Sequence, residues 1–522
     1  MSVITLTTEK GTFRKESETP VSAQEFLQEC GCLLTMPCGG GGRCGKCRVI
    51  AKGGISPVSE EEKQLLKPGE LQKGIRLLCR LQLISDAELT LCMAETSAQI
   101  RVNGILPDIE KNPLFEAFGA AVDIGTTTLA VQICGEQGIL GSASAPNPQR
   151  SFGADVISRI GQSLAGHGEA LAQSVRGAIA DLLQTAAKDA KIQPEQLDAF
   201  VLTGNTTMLY LLTGKNPKSL SSSPFEADEL FGYFFAAKEL GLPCKEGAKA
   251  YLPRCASAFV GADITTALLA GQTCRGEETV LFADIGTNGE IALWNDKTLT
   301  CCSTAAGPAF EGVGLSCGMQ GAAGAIDHVS EDSGQMHRSV IGGGDAIGIC
   351  GSGVVDALAI MLASNDMEES GVLNEESTRY EEQNEPSIAL TNTVYITQKD
   401  IRMVQLAKSA VCAGINTLLR VSGVPQTEVN RLQIAGGFGS YLDLKSAARI
   451  GLFPFALQNK AEVLGNAALS GAVMLLMNRS LIIQSEQLAK TAKTIELSTN
   501  PIFMEEYTEN MFFPPTDILD MA

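Results

Sequence analysis

Histidine is nearly missing from this 522-residue chain: three copies, His167, His328 and His337, lie far apart. A histidine-built metal centre is therefore not expected. Positive charge is also in short supply, with 40 Lys and Arg against 59 Asp and Glu and a formal net charge of −19. Nucleic acid and anionic lipid both demand a basic surface, so neither is an expected partner, and the acidity reads as solubility. No uninterrupted apolar run approaches the ~18 residues a membrane span needs. The opening residues, Met1 to Lys10, lack the basic stretch and apolar core of a secretory leader. A cytoplasmic location is the expectation. In that reducing compartment the 16 cysteines serve as metal ligands, catalytic groups or buried thiols. What is abundant is apolar residues, 44 %, and glycine, 54 copies, which suit a strand-rich α/β protein of two to four domains.

Four of the cysteines form a pattern. Cys38, Cys44, Cys47 and Cys79 are spaced C-x5-C-x2-C…C, and glycines fill most of the first gap. A glycine-rich loop with three thiolates, closed by a distant fourth, suits a [2Fe–2S] cluster, because its backbone must turn through positive φ and aim N–H groups at sulfur. Zinc is the rival, but it usually takes two C-x2–4-C pairs and only one is present. Around the loop, Val3 and Leu6 alternate with polar residues, Glu9-Lys10-Gly11 reads as a hairpin turn, and Ser22 to Glu25 has capping-box spacing for a short helix. A strand over Cys47–Ala51 follows. That order is the order of a β-grasp ferredoxin. Cys30, Cys32 and Cys92 fall outside the pattern and read as buried thiols.

Residues 97–118 carry Asn103-Gly104, Pro107 and Pro113 and read as a linker of limited structure. Beyond it, Asp-Ile-Gly-Thr occurs twice, at Asp123 and, about 160 residues later, at Asp284, each in a strand–turn–strand frame. We read this as an internal duplication. Such turns offer N–H groups and hydroxyls to phosphate oxygens, and the preceding aspartate can hold Mg²⁺ through water. Two of them facing each other would grip the phosphates of ATP. One aspartate then organises the metal while the other orients the attacking water. The expected phosphate residues are Gly125, Thr126, Thr127 and Thr128 from the first turn, and Gly286, Thr287, Asn288 and Gly289 from the second. The strand over Leu432 runs into Gly436 and Gly437, as expected where backbone borders an adenosine.

Val201–Met208 and Gly465–Gly471 have the small-residue look of helices crossing between two lobes. Gly351, Ser352 and Gly353, ahead of an apolar run from Val354 to Leu362, are either a nucleotide-facing loop at a helix start or a close-packing turn. Ala305–Gly312 lies just after the second turn, where it could reach nucleotide or partner. Asp366–Glu385 holds eight acids against one base and reads as a solvated surface insertion.

Together these motifs resemble the actin/Hsp70/sugar-kinase superfamily joined to a ferredoxin, and the combination is similar to the reductive activators of corrinoid proteins. The fold so implied is α/β and multidomain: a β-grasp [2Fe–2S] domain over 1–96, the linker, and a duplicated actin-like, ribonuclease H-like ATPase over 119–522. The resemblance implies one electron delivered to an inactive Co(II) corrinoid of a partner methyltransferase system, at the expense of ATP and Mg²⁺, restoring Co(I). It further implies an upstream low-potential reductant and a homodimer. No Asp-x-His-x-x-Gly is present, so the corrinoid is expected on the partner. Members of the family carry a further segment between linker and ATPase, for which little room is evident here. Three alternatives remain open: a sugar-type kinase with a fused redox sensor, an activase for another low-potential enzyme, and a nucleotide-switched binding protein.

Overall fold

The computed structural model describes residues 1–8, 11–30, 32, 34, 36, 38, 40–42, 45–91, 104–332, 335–382, 385–438 and 441–515. Cys44, Cys92 and the Glu9-Lys10 turn lie outside the described residues. The first unit is a mixed sheet in the order Gly11–Ser17, Ser2–Thr8, Gln82–Leu91, Arg48–Ile55, Ile75–Leu77, with the helix Ala23–Glu29 packed on it. Ser2–Thr8 pairs antiparallel with Gly11–Ser17 and parallel with Gln82–Leu91, which is the β-grasp arrangement. The inward pair on the first strand is Ile4 and Leu6, both fully buried, whereas Val3 is exposed; period two holds, but its phase starts one residue later than Val3 suggests. Phe26, Leu27, Val49, Leu83 and Leu89 complete that core. Buried Glu62 takes two hydrogen bonds from Arg76, at 2.9 and 2.8 Å, and one from the Leu77 N–H at 2.9 Å. This bidentate pair fixes the strand that leads into Cys79.

Two six-stranded sheets of matching design follow. One runs Tyr233–Ala236, Lys249–Leu252, Leu197–Gly204, Phe118–Ile124, Thr128–Gly135, Gly138–Pro146; the other runs Ala461–Gly465, Arg431–Ala435, Val280–Ile285, Gly289–Asn295, Thr298–Thr304, Lys493–Ile495. In each, a three-stranded antiparallel meander carries the Asp-Ile-Gly-Thr turn, and a parallel strand flanks it. Asp123 sits opposite Thr203 and Asp284 opposite Ala435 on those parallel neighbours. The duplication is therefore one of backbone register as well as of sequence.

Helices Ala262–Ala270 and Ala467–Met477 pack between the two sheets, in a core that also takes Ala121 and Val201 from one sheet and Phe282 and Ala292 from the other. A Cβ on Gly471 would stand 1.8 Å from the Thr266 carbonyl, so only glycine allows the helices to approach this closely. Val201–Gly204, expected as helix, is strand; the helix begins at Thr206, capped by the Asn205 side chain. A short apolar run is ambiguous between the two, and here parallel pairing to Phe118–Ile124 decides. Residues 104–114 are tied down rather than loose, with N–H groups of Ile105, Asn112 and Leu114 donating to the carbonyls of Leu464, Met477 and Leu476 at 2.9 Å each. Asp366 is likewise buried, not solvated, and pairs with Arg379 at 2.7 Å. No helix among the described residues is long and apolar enough to cross a membrane.

Candidate functional site

Both Asp-Ile-Gly-Thr turns open onto one cavity of about 280 Å³ between the lobes. The turns are built alike: the Gly125 N–H donates to the Thr128 carbonyl and the Gly286 N–H to the Asn288 carbonyl, each at 2.9 Å. The next connection of each meander fastens onto its turn, Asn147 N–H to Thr127 carbonyl and Gly307 N–H to Thr287 carbonyl, both 2.8 Å. Asp123, Gly125, Thr126, Thr127, Thr128, Asp284, Gly286, Thr287, Asn288, Gly351, Ser352, Gly436 and Gly437 all line the cavity. Gly289 and Gly353 do not. A Cβ on Gly353 would meet the Ile326 carbonyl at 2.4 Å, which makes it a packing glycine, and one on Gly289 would face Thr304 and Val411. Gly436, at φ +100°, brings the third loop against the second turn, leaving 2.6 Å between a would-be Cβ and the Ile285 carbonyl.

Several lining residues are not among the individual residues expected from the sequence, although Ala305–Gly312 does reach the cavity, through Phe310 and Glu311. Asn205 and Asn466 each follow a strand-ending glycine, cap the next helix, and reach the first turn: Asn205 Nδ2 donates to Thr126 Oγ1 and Asn466 Nδ2 to Asp123 Oδ2, both at 3.0 Å. The repeated Gly-Asn at 204–205 and 465–466 was a usable signal. Asp263, Glu290 and Glu311 complete the acidic lining.

These acids are electrostatically stressed. Burial pushes Asp123 up to about 6. Burial and then the Asp123 charge push Asp284 up to about 7. Asp263 reaches about 8 through burial, then Asp284 and Asp123. Glu290 is raised well above the usual carboxylate range by burial, then Asp263 and Asp284. Among the described residues no Lys or Arg lines the cavity to offset them. Among the described residues no three Asp, Glu, His or Cys side chains gather closely enough to cage an ion by themselves. A cation here would complete its shell with water and phosphate, as Mg²⁺ does.

A pH dependence follows. The folded, ligand-free protein holds protons on these carboxylates up to about pH 6–8, whereas the unfolded chain loses them near 4. Stability should therefore fall as pH rises across that window, by about 1.4 kcal/mol per pH unit per extra proton held. Melting in chelator at pH 5.5 and 8 should show a lower midpoint at pH 8, and Asp263→Asn should reduce the difference. A wild-type midpoint that rose with pH would contradict it.

The cysteine loop lies on the first unit. Cys47 is buried at the start of the strand Arg48–Ile55, and its Sγ stands 3.3 Å from Cys79 Sγ; the Leu78 N–H donates to the Cys47 carbonyl at 2.7 Å. Cys38 is near enough for its charge to bear on Cys79. Arg80 Nη2 donates to the Gly41 carbonyl at 2.8 Å, and a Cβ on Gly42 (φ +70°) would fall 2.2 Å from that guanidinium. A close Cys47–Cys79 sulfur pair with Cys38 nearby, beside a loop whose Gly40, Gly42 and Gly45 take positive φ, fits an iron–sulfur cluster. Cys44 lies outside the described residues. Pro37 and Gly39 do as well.

Fold and cavity thus define a two-lobed protein of the actin and sugar-kinase type, joined to a ferredoxin-like unit. Residues 278–521 match the family described as the C-terminal domain of RACo, the ASKHA domain, and 118–274 match the RACo middle region. The chain is 33 % identical over 438 residues to the corrinoid activation enzyme RamQ of Eubacterium limosum, covering 79 % of this chain and 73 % of that one. It is 27 % identical over 308 residues to a Co(II) methylated amine-specific corrinoid protein reductase of Methanosarcina barkeri, covering 54 % and 53 %. A solved structure of a reductive activator for corrinoid, iron-sulfur protein superposes with TM-score 0.73 at 28 % identity, covering 99 % of each chain. A stretch of 65 residues is 38 % identical to a component of the Na⁺-translocating NADH-quinone reductase of Shewanella denitrificans, 12 % of this chain and 16 % of that one. The chain belongs to the family of reductive activators of corrinoid proteins. The middle region for which the sequence left little room is the first lobe itself.

Proposed function

We propose that this protein uses ATP to move one electron onto the Co(II) corrinoid of a partner methyltransferase system, returning it to Co(I). The observation that carries the reading is the pairing, in one family-matched chain, of a two-turn phosphate cleft with a glycine-cradled thiolate loop. The assigned units are 1–96 for the ferredoxin domain, 97–118 for the linker and 119–522 for the ATPase. When bound, a [2Fe–2S] cluster on Cys38, Cys44, Cys47 and Cys79 supplies a one-electron store. Thr126, Thr127, Thr128, Thr287 and Asn288 with Gly125 and Gly286 hold phosphate, Gly436 and Gly437 border adenosine, and Ser352 with Gly351 flanks the nucleotide. Asp123 and Asp284 would hold Mg²⁺ and orient water.

Energy must enter because a one-electron shortfall of ~0.2 V costs about 5 kcal/mol. Lobe closure on nucleotide can supply it by changing affinity for the Co(II) partner. A physical connection supports this. The Met36 N–H donates to the Arg150 carbonyl at 3.4 Å, joining the cysteine-loop side of the first unit to the turn Pro148–Ser151. Asn147, which caps that turn, donates through Nδ2 to the Gly125 carbonyl at 2.8 Å, and Arg159 Nη2 to the Thr126 carbonyl at 2.5 Å. A shift of the first phosphate turn is thus two hydrogen bonds away from the segment preceding Cys38. An upstream low-potential donor and a homodimer complete the proposal.

The test is anaerobic: reduced protein, Mg-ATP and candidate Co(II) corrinoid proteins are mixed and Co(I) absorbance is followed. Co(I) is expected to form with ATP. Phosphorylation of a sugar instead would establish the kinase alternative.

A further inference from the structure

The turn Pro308–Glu311 is the duplicate of Pro148–Ser151: both begin with proline, both follow the third strand of a meander, and both are fastened to a phosphate-turn threonine by the residue before the proline. In the first lobe this turn ends on a serine; in the second it ends on a glutamate that crosses the cleft. Glu311 Oε2 accepts from Thr127 Oγ1 at 2.5 Å, and Oε1 accepts from Thr287 Oγ1 at 2.8 Å. One carboxylate thereby ties together hydroxyls from opposite lobes. Its neighbour Phe310 is buried and stacks on Phe438 of the loop after Gly437, with centroids 4.9 Å apart, so the turn is held from both sides.

We infer that Glu311 occupies the seat of the terminal phosphate of ATP and latches the two turns together until a triphosphate evicts it. The inference rests on the cleft being the ATP site. Its chemistry is direct: an anion with two oxygens already sits on the two hydroxyls that a terminal phosphate would take. Two anions cannot share those donors without repulsion, and among the described residues no Lys or Arg lines the cleft to absorb it. Arg159, behind the first turn, feels the Glu311 charge but is occupied by the Thr126 and Gly153 carbonyls. Glu311 is accordingly a specificity device: a nucleotide lacking the terminal phosphate has no need to displace it, whereas ATP must.

The test uses the full-length protein with Mg²⁺ and compares wild type, Glu311→Gln and Glu311→Ala by calorimetry. A non-hydrolysable ATP analogue should bind both variants roughly tenfold more tightly, the factor that about 1.4 kcal/mol of relieved repulsion gives. ADP affinity should change less than about twofold, because it does not contest the seat. In the nucleotide-free state, hydrogen exchange at 125–128 and 286–288 should quicken in Glu311→Ala as the latch is lost. Analogue binding that is unchanged or weaker in both variants, with wild-type melting, would overturn the inference while leaving the ATP reading intact. If neither wild type nor variants bound any adenine nucleotide, the ATP reading would fail and the latch with it.

Discussion

Cys47→Ser, reconstituted anaerobically with iron and sulfide, will lose the visible absorption of the wild type and form no detectable Co(I), while its ATP hydrolysis survives. Cys47 is buried at a strand start with its sulfur 3.3 Å from Cys79, and its carbonyl is bonded to the Leu78 N–H, so the side chain has one direction to point. A serine there replaces a soft thiolate with a hard, protonated oxygen at a site with no spare ligand in the pattern. Disturbing even the partners of metal ligands costs 10–100-fold, so losing a ligand should exceed roughly a hundredfold. Cys30→Ser, just outside the loop, is the control and should keep colour and activity. Retention of full iron content and absorption by Cys47→Ser would remove Cys47 from the ligand set.

The second large effect is at Asp284. Asp284→Ala should lower ATP turnover by roughly a hundredfold to a thousandfold, the scale seen when one preorganised electrostatic group is removed from a reacting centre. Asp284 is the last residue but one of the strand Val280–Ile285, and its carboxylate borders the Gly436 loop, with a would-be Cβ on that glycine 2.8 Å from Oδ1. The same substitution should raise the melting temperature at pH 8 in chelator. Burial and the Asp123 charge push this acid up to about 7, so at pH 8 the fold carries a charge it would rather shed. Lower activity with higher stability separates a functional carboxylate from a structural one. An Asp284→Ala protein that was both active and less stable would contradict the assignment.

Repetition and spacing made much of this legible in the sequence. The two Asp-Ile-Gly-Thr runs announced a duplicated frame, and the backbone pairs them in matching register. The cysteine spacing and the strand–helix order announced the β-grasp unit. Tertiary packing hid the rest. Glu290 stands opposite Asp284 on the next strand of the same hairpin, but Asp263 comes from a helix start and Asp123 from the other sheet, and only tertiary packing brings their charges together. Glu311 lay in a segment whose reach was foreseen but whose acceptor role was not, because Thr127 stands 184 residues away. Gly353 shows why glycine misleads: a residue without a side chain admits a ligand or a neighbouring backbone equally well, and here it admits backbone, as Gly471 does where its helix packs between the sheets. The segment 104–114 looked loose because main-chain bonds to Leu464, Leu476 and Met477 leave no mark on composition.

Coupling between the two units is best tested by a single turnover. Protein carrying one stored electron, freed of excess reductant, is mixed with a Co(II) corrinoid protein, and Co(I) is counted with and without Mg-ATP. Co(I) approaching one per stored electron with ATP, and little without it, is the expected result; the same yield in both samples would contradict ATP-driven transfer outright.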